Sequence, residues 1–142
     1  MIIAIASDHA GYAMKEQIKE YLKTKGIEYK DYGTDSEASV DYPVYAKLVA
    51  NAVASGEFKK GILVCGTGIG MSIAANKVKG VRSASIMNEY SAEMSRCHND
   101  LNVLCLGGRV LGIEMAKRIT DIFLDTEFEG GKHERRVNMF EE

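Results

Sequence analysis

The segment with the clearest chemical potential is a glycine-rich run that begins with a cysteine, Cys65-Gly66-Thr67-Gly68-Ile69-Gly70. Its three glycines let the backbone approach a ligand closely, and the N–H groups at the start of a following helix attract an oxyanion or a phosphate. The same position lowers the pKa of a thiol and favours the thiolate. Met71 stands where the dinucleotide fingerprint needs glycine and where a cysteine phosphatase needs arginine. A reactive thiol and a buried cysteine before a tight turn remain the two interpretations.

Three further groups of polar side chains could bind a ligand or move a proton. Asp8 and His9 suit sugar hydroxyls, a phosphate or a proton, and equally a helix cap beside an exposed histidine. His98 suits proton transfer near neutral pH, although a histidine at a helix end more often interacts with the helix dipole. Arg109 follows a glycine pair, and a guanidinium binds phosphate through two parallel hydrogen bonds. The cations at 132–136 are, by themselves, typical of a solvated surface.

The composition excludes several functional classes. The 142 residues include 18 basic and 20 acidic side chains, whereas a nucleic-acid-binding surface needs a basic excess or stripe. No apolar run reaches the ~20 residues of a membrane span, and the N-terminus lacks the pattern of a secretory signal. Three cysteines at zinc-incompatible spacings, and the absence of a metalloprotease motif, indicate free thiols and no metal site. Cys97 and Cys105 are interpreted as small core residues. We therefore expect a cytoplasmic protein without nucleic-acid or membrane partners.

The elements that must position these residues alternate between strands and helices. Short apolar runs predict strands at 2–6, 27–32, 61–65, 81–87 and 102–106, and apolar residues at helical spacing lie between them. This alternation predicts an α/β fold, a Rossmann-like three-layer αβα sandwich around a five-stranded parallel sheet, in one domain at 1–142. The strand order should begin 2-1-3. Ligands of such sheets bind beyond the carboxyl ends of the strands, where the Asp8, Cys65 and Arg109 segments fall.

Five motifs in register then point to a family. They are SDHAG at 7–11, DYP at 41–43, CGTGIGMSIAANK at 65–77, RCHNDLNVLCLGGR at 96–109 and GGKHERR at 130–136. In this order, and over essentially its full length, the chain resembles the type B ribose-5-phosphate isomerases and their galactose-6-phosphate and allose-6-phosphate relatives. The resemblance implies an isomerase of the pentose phosphate pathway, free of metal and cofactor, that interconverts ribose 5-phosphate and ribulose 5-phosphate through an enediolate.

The resemblance also implies roles for individual residues. Cys65 matches the catalytic base, His98 the group that helps to open the furanose ring, and Thr67 a residue that assists proton transfer at the sugar oxygens. The implied substrate contacts are Asp8, His9, Tyr42, Gly66, Thr67, Gly68, Ile69, Gly70 and Asn99, with Arg109, Lys132 and Arg136 at the phosphate end. Lys132 stands where the family more often has arginine.

The family's site is shared between two subunits of a homodimer, and some members form tetramers. We therefore expect the charged tail at 126–142 to dock at a subunit interface. Two other functions stay open at this point. One is isomerisation of a 6-phosphate aldohexose, allose or galactose, because motif content does not set pocket length. The other is a non-catalytic phosphosugar-binding module, which would have no need of Cys65 as a base.

Overall fold

One parallel sheet organises the structure, a computed structural model that describes residues 1–142. Its strands are β1 (Ile2–Ser7), β2 (Glu28–Asp31), β3 (Lys60–Cys65), β4 (Ser83–Ser85) and β5 (Val103–Gly107). They lie in the order β2-β1-β3-β5-β4, and every neighbouring pair is parallel. The predicted α/β class, the five strands and the 2-1-3 start of the order are confirmed.

Six helices connect or follow these strands. They are α1 (Tyr12–Thr24), α2 (Tyr42–Ala54), α3 (Ile69–Asn76), α4 (Glu89–Cys97), α5 (Ile113–Asp125) and α6 (Lys132–Val137). Residues of α1, α4 and α5 share one apolar cluster with alternate strand residues such as Ile5 and Val64. Residues of α2 and α3 share the other cluster with Ala6 and Leu63. Two apolar clusters on opposite faces of the sheet give the predicted three layers. None of the helices has both the length and the apolar character that a bilayer crossing requires.

Several predicted boundaries differ from those observed. Helix α3 begins at Ile69 rather than Met71, because Gly68, with a φ of 80°, ends the turn two residues earlier. Strand β4 keeps three of the predicted residues 81–87 because it is an edge strand, pairing on one side only and over Val103–Cys105 alone. Asp41 of the DYP motif occupies the N-cap position of α2 but makes no side-chain capping hydrogen bond. The tail contains α6, which lacks the apolar periodicity that would have predicted it.

The sheet has two functionally different edges. At the carboxyl edge, where the strands end, Ser7 lies opposite Val64, and Cys65 lies opposite Gly107, so three glycine-containing motifs meet there. At the amino edge, where the strands begin, α4 returns the chain to the start of β5 and ends at Cys97. A strand of five residues, such as β5, spans about 13 Å between these two edges. A residue just after α4 is therefore held away from Cys65 within one chain.

Candidate active site

A shallow depression of about 470 Å³ lies at the carboxyl edge. Its size is in the range of small-molecule sites. Nine of the residues predicted from the sequence line it together: Asp8, His9, Tyr42, Cys65, Gly66, Thr67, Ile69, Gly70 and Arg109. Gly68, also predicted, lies beneath it, where an added Cβ would meet the Ser85 hydroxyl at 2.6 Å. The carboxyl ends of β1, β3 and β5 thus assemble most of the predicted site.

The Cys65 sulfur sits at the base of this depression. The residue is 5% exposed, and the backbone N–H of Gly68 donates a hydrogen bond to its Sγ at 3.1 Å. A donated hydrogen bond favours negative charge on the acceptor. The N–H groups of Gly70 and Met71, in the first turn of α3, make no hydrogen bond within the chain. Gly70 lines the depression, so its N–H remains available to an anionic ligand near the sulfur, whereas Met71 is fully buried.

Backbone contacts also fix the two polar residues after β1. The Asp8 carboxylate accepts a hydrogen bond from Gly11 N–H at 3.0 Å and is buried, so one oxygen closes the turn into α1. The Nδ1 atom of His9 accepts a hydrogen bond from Val40 N–H at 3.2 Å. The neutral ring therefore carries its proton on Nε2, where it can donate to a ligand oxygen. The sequence left two interpretations for this segment, a ligand contact and a helix cap. Each is partly correct, because Asp8 caps a turn while both residues line the depression.

Two side chains, Arg109 and Tyr42, form walls of the depression. The Arg109 N–H donates to the carbonyl of Gly66 at 3.0 Å, and the Arg109 side chain passes over Gly66, where a Cβ would contact its Cδ at 3.6 Å. The Tyr42 ring packs against Gly70 so closely that a Cβ there would lie 2.5 Å from the ring. The absence of a side chain at Gly70 is what allows the Tyr42 ring to close over the loop, whereas a Cβ at Gly66 would make only an ordinary contact with Arg109.

Four predicted residues lie elsewhere in the chain. His98 and Asn99 directly follow α4, at the amino edge, and Lys132 and Arg136 lie on α6. None of them lines the depression around Cys65. Lys132 and Arg136 make no ion pair within the chain, so both cations are free to bind an anion. A single chain therefore holds two separate groups of the predicted residues.

The amino-edge group contains Glu129, which the sequence analysis did not single out, and His133, which it counted only among the cations at 132–136. The His98 and His133 rings stack, with centroids 4.1 Å apart and planes 10° apart. The Glu129 carboxylate lies 3.9 Å from Nε2 of His98 and 3.6 Å from Nε2 of His133. Burial and the neighbouring His98 lower the pKa of His133, a change that Glu129 opposes. The four-residue spacing of Glu129 and His133 was the available signal, but only the folded tail brings them to His98.

The structure also has a larger cavity, of about 710 Å³, beside the edge strand β4. It is lined mainly by β4, α4 and the end of the tail, including Tyr90, Met94 and Phe140. Asn99 is the only predicted site residue on its wall. The cavity holds no cysteine, histidine or glycine-rich loop, so we assign the chemistry to the smaller depression at Cys65.

Comparisons with known proteins agree on one family. Residues 3–140 match the model of the ribose/galactose isomerase family. The chain is 51% identical over 135 residues to ribose-5-phosphate isomerase B of Escherichia coli, covering 95% of this chain and 91% of that protein. It is 46% identical over 130 residues to D-erythrulose-4-phosphate isomerase of Pectobacterium atrosepticum, covering 91% and 86%. The crystal structure of ribose-5-phosphate isomerase B from Mycoplasma genitalium with bound ribulose 5-phosphate has a TM-score of 0.93 and 46% identity, covering 97% and 92%.

Proposed function

Because the chain belongs to the ribose/galactose isomerase family, we propose that it interconverts ribose 5-phosphate and ribulose 5-phosphate. One observation carries the proposal. The sulfur of Cys65 lies at the carboxyl end of a central strand, in a ligand-sized depression, and accepts a backbone hydrogen bond. A reactive thiol in that place is suited to removing a proton from a carbon next to a carbonyl group.

The reaction needs a base, and Cys65 serves as that base. Its thiolate takes the proton from C2 of the open-chain aldose and returns it to C1 of the enediolate, while the hydroxyl proton on O2 passes to O1, which gives the ketose. The enediolate carries negative charge, which the N–H group of Gly70 stabilises. A donor of this kind is worth about 3 kcal/mol. Thr67, whose hydroxyl already accepts from Ile69 N–H at 3.2 Å, assists at the sugar oxygens.

The remaining groups bind the substrate. Nε2–H of His9 and the free oxygen of Asp8 contact the sugar phosphate from the side of β1, and Arg109 lies across Gly66. The phosphate does not react, so its cationic partners contribute orientation, which places C2 against the sulfur. Opening of the furanose ring needs an acid or a base, and we assign this role to His98, which matches the ring-opening group of the family.

The site is completed by a second copy of the chain. His98, Asn99, Lys132 and Arg136 lie at the amino edge of their own sheet, about 13 Å of strand away from the Cys65 end. In a two-fold dimer the same two surfaces meet twice, so the amino-edge residues of each copy can reach the depression of the other. Exposed apolar residues around the depression offer a contact surface: Ile69, Ile73, Met87 and Tyr90, each more than half exposed.

An isomerase assay in buffer containing EDTA tests the activity, with tetrose, pentose and hexose phosphates as alternative substrates. We expect turnover of ribose 5-phosphate with the highest kcat/KM. Cys65→Ala should lower kcat by roughly 10²–10⁴-fold with little change in KM, whereas Cys97→Ala, the control, should keep most activity. Full activity in Cys65→Ala would refute the base assignment. Tight binding without solvent deuterium exchange at C2 would instead identify a non-catalytic binding module.

The substrate panel also decides the length of the sugar. The 46% identical erythrulose-4-phosphate isomerase shows that overall similarity to this chain accompanies more than one sugar phosphate. A higher kcat/KM for a four-carbon or six-carbon phosphate would keep the chemistry and change the substrate.

Mixing two inactive variants tests the shared site. In a heterodimer of Cys65→Ala and His98→Ala chains, one of the two sites combines the intact Cys65 of one chain with the intact His98 of the other. Random re-association should therefore restore about a quarter of wild-type activity. No recovery on mixing, although heterodimers form, would place both residues in sites contained within one chain.

A further inference from the structure

Three potential metal ligands meet at the amino edge, outside the depression at Cys65. Nε2 of His98, Nε2 of His133 and a carboxylate oxygen of Glu129 all lie within 4.8 Å of one another. Two imidazoles and a carboxylate, with one open position, are a ligand set that Zn²⁺ accepts in proteins. We propose that His98, Glu129 and His133 form a binding site for a zinc-like divalent cation, and that its occupancy blocks His98.

The distances need only a small adjustment. Tetrahedral zinc with bonds of about 2.1 Å holds its ligand atoms about 3.4 Å apart. The carboxylate of Glu129 already lies 3.6 Å from His133 and 3.9 Å from His98. The stacked rings must turn so that their Nε2 atoms point to a common centre. His98 and Glu129 have room to move, because their side chains are 41% and 54% exposed, whereas His133 is only 14% exposed and is the more fixed ligand.

The backbone around the cluster is already held in place. The N–H of Glu129 donates to the carbonyl of Cys97 at 3.1 Å, and Nε of Arg96 donates to the carbonyl of Thr126 at 3.0 Å. These two bonds fasten the start of the tail to the end of α4. Metal binding therefore requires side-chain rotation only, without folding of a new segment.

The surrounding charges set the strength of binding. Lys132 and Arg136 lie close enough to act on the charge of His133, and they repel a divalent cation. We therefore expect weaker, more reversible binding than at a closed structural zinc site. Such a site suits inhibition that responds to free metal, because a coordinated Nε2 cannot transfer a proton.

The binding test needs no enzymatic activity. Metal-free Cys65→Ala protein, which lacks the thiol at the other site, is titrated with Co²⁺ and followed by visible absorption, and with Zn²⁺ by calorimetry. We expect one ion per chain and at least tenfold weaker binding in both His133→Gln and Glu129→Gln. Glu134→Gln, on the same helix but outside the cluster, is the control and should bind as the parent does. Absence of binding, or equal affinity in all of these variants, would overturn the proposal.

The inhibitory consequence rests on the proposed isomerase function and is measured separately. Zn²⁺ should lower the turnover of protein with intact Cys65, and EDTA should restore it. The fold-change caused by Zn²⁺ should shrink in Glu129→Gln relative to Glu134→Gln. Equal inhibition of the two variants would overturn the claim that this cluster mediates it. An inactive protein that still binds one Co²⁺ through these residues would refute the isomerase and leave the metal site standing.

Discussion

The two edges of the sheet hold their functional residues in different ways. At the carboxyl edge the contacts come from backbone groups: Gly68 N–H reaches the Cys65 sulfur, and Val40 N–H reaches His9. At the amino edge, His98 and Glu129 are exposed side chains that no short hydrogen bond fixes. Ordering a mobile side chain costs conformational entropy. A site whose contacts come from the backbone is therefore ordered once the sheet has formed. A site of exposed side chains becomes ordered only when it binds a ligand.

The largest expected effect comes from a methyl group placed beneath the glycine-rich loop, and it tests this contrast between the two edges. In Gly107→Ala the new Cβ would lie 2.9 Å from the backbone of Thr67, so the loop that carries Gly68 must shift. A displacement of about 1 Å at a catalytic group can cost roughly a hundredfold in rate. We expect kcat to fall by about that factor, and the strain of the displaced backbone should also lower the melting temperature by several degrees.

Gly112→Ala is the matched control for this substitution. Gly112 precedes α5, and an added Cβ there meets nothing within 4 Å. Its kcat should equal that of the parent chain. Similar rates for Gly107→Ala and Gly112→Ala would mean that the loop tolerates movement, and the contrast between the edges would fail.

The next effect is on stability, and it concerns the support behind His9. Lys15 is 1% exposed and donates to both carboxylate oxygens of Asp31, at 2.8 and 2.9 Å, and to the carbonyl of Thr34. It thereby fastens the loop that leads to Val40. Lys15→Met leaves that buried carbonyl without its donor, so we expect a loss of about 2 kcal/mol in the free energy of unfolding.

Lys19 offers the comparison for Lys15, because it binds the same Asp31 carboxylate from the surface. Exposed ion pairs contribute about 0–1 kcal/mol, so Lys19→Met should cost clearly less. Urea unfolding at one fixed protein concentration measures both variants. Equal losses in the free energy of unfolding would show that Lys15 contributes no more than Lys19. Another contact would then have to hold the loop that leads to Val40.

A smaller effect is expected at the amino edge, on the phosphate side of the proposed site. Lys132 begins α6 and makes no ion pair in the chain. Arginine can bind a phosphate through two parallel hydrogen bonds, which lysine cannot. One added hydrogen bond is worth about 1 kcal/mol, or roughly a fivefold change in affinity. Lys132→Arg should lower KM by about that factor with kcat unchanged. Arg135→Lys on the same helix is the control and should leave KM unchanged. A similar change of KM in both variants would indicate a general effect of charge.

The same contrast explains which parts of the molecule could be predicted from the sequence. The alternation of apolar runs and helical periods identifies a parallel sheet, and in such a sheet all carboxyl ends meet at one edge. That rule alone places Asp8, Cys65 and Arg109 together, as observed. The hydrogen bond from Val40 to His9 was not predictable, because a loop of this length has no pattern that fixes one N–H group.

The amino edge could be predicted only in part. The motif around His98 indicated a functional residue, but a motif carries no information about which edge of the sheet it occupies. The stacking of His98 on His133 depends on the path of the tail, which lacks the apolar spacing that predicts helices. The cluster with Glu129 follows from that path, so the ligand set emerged only from the fold.

The smallest expected effect is a pH-dependent change in stability that comes from one charged side chain at the amino edge. Lys60 begins β3 and donates to the carbonyls of Phe123 and Leu124 at the end of α5, at 2.9 and 3.1 Å. Burial and the positive charge of Arg96 lower the pKa of Lys60 to about 8, from an ordinary value of 10.5. Between these two values the unfolded chain binds the proton more readily than the folded chain. Stability therefore rises as the pH increases from 8 to 10.5.

Lys60→Gln removes this titration while an amide N–H can still donate to the carbonyls. Across pH 8 to 10, the melting temperature of the parent should gain roughly 3 °C relative to Lys60→Gln. Lys59→Gln removes an exposed charge at the preceding position and is the control, which should follow the parent. If the three proteins kept constant differences across this range, Lys60 would titrate normally. The charge of Lys60 would then contribute no pH-dependent stability at the amino edge.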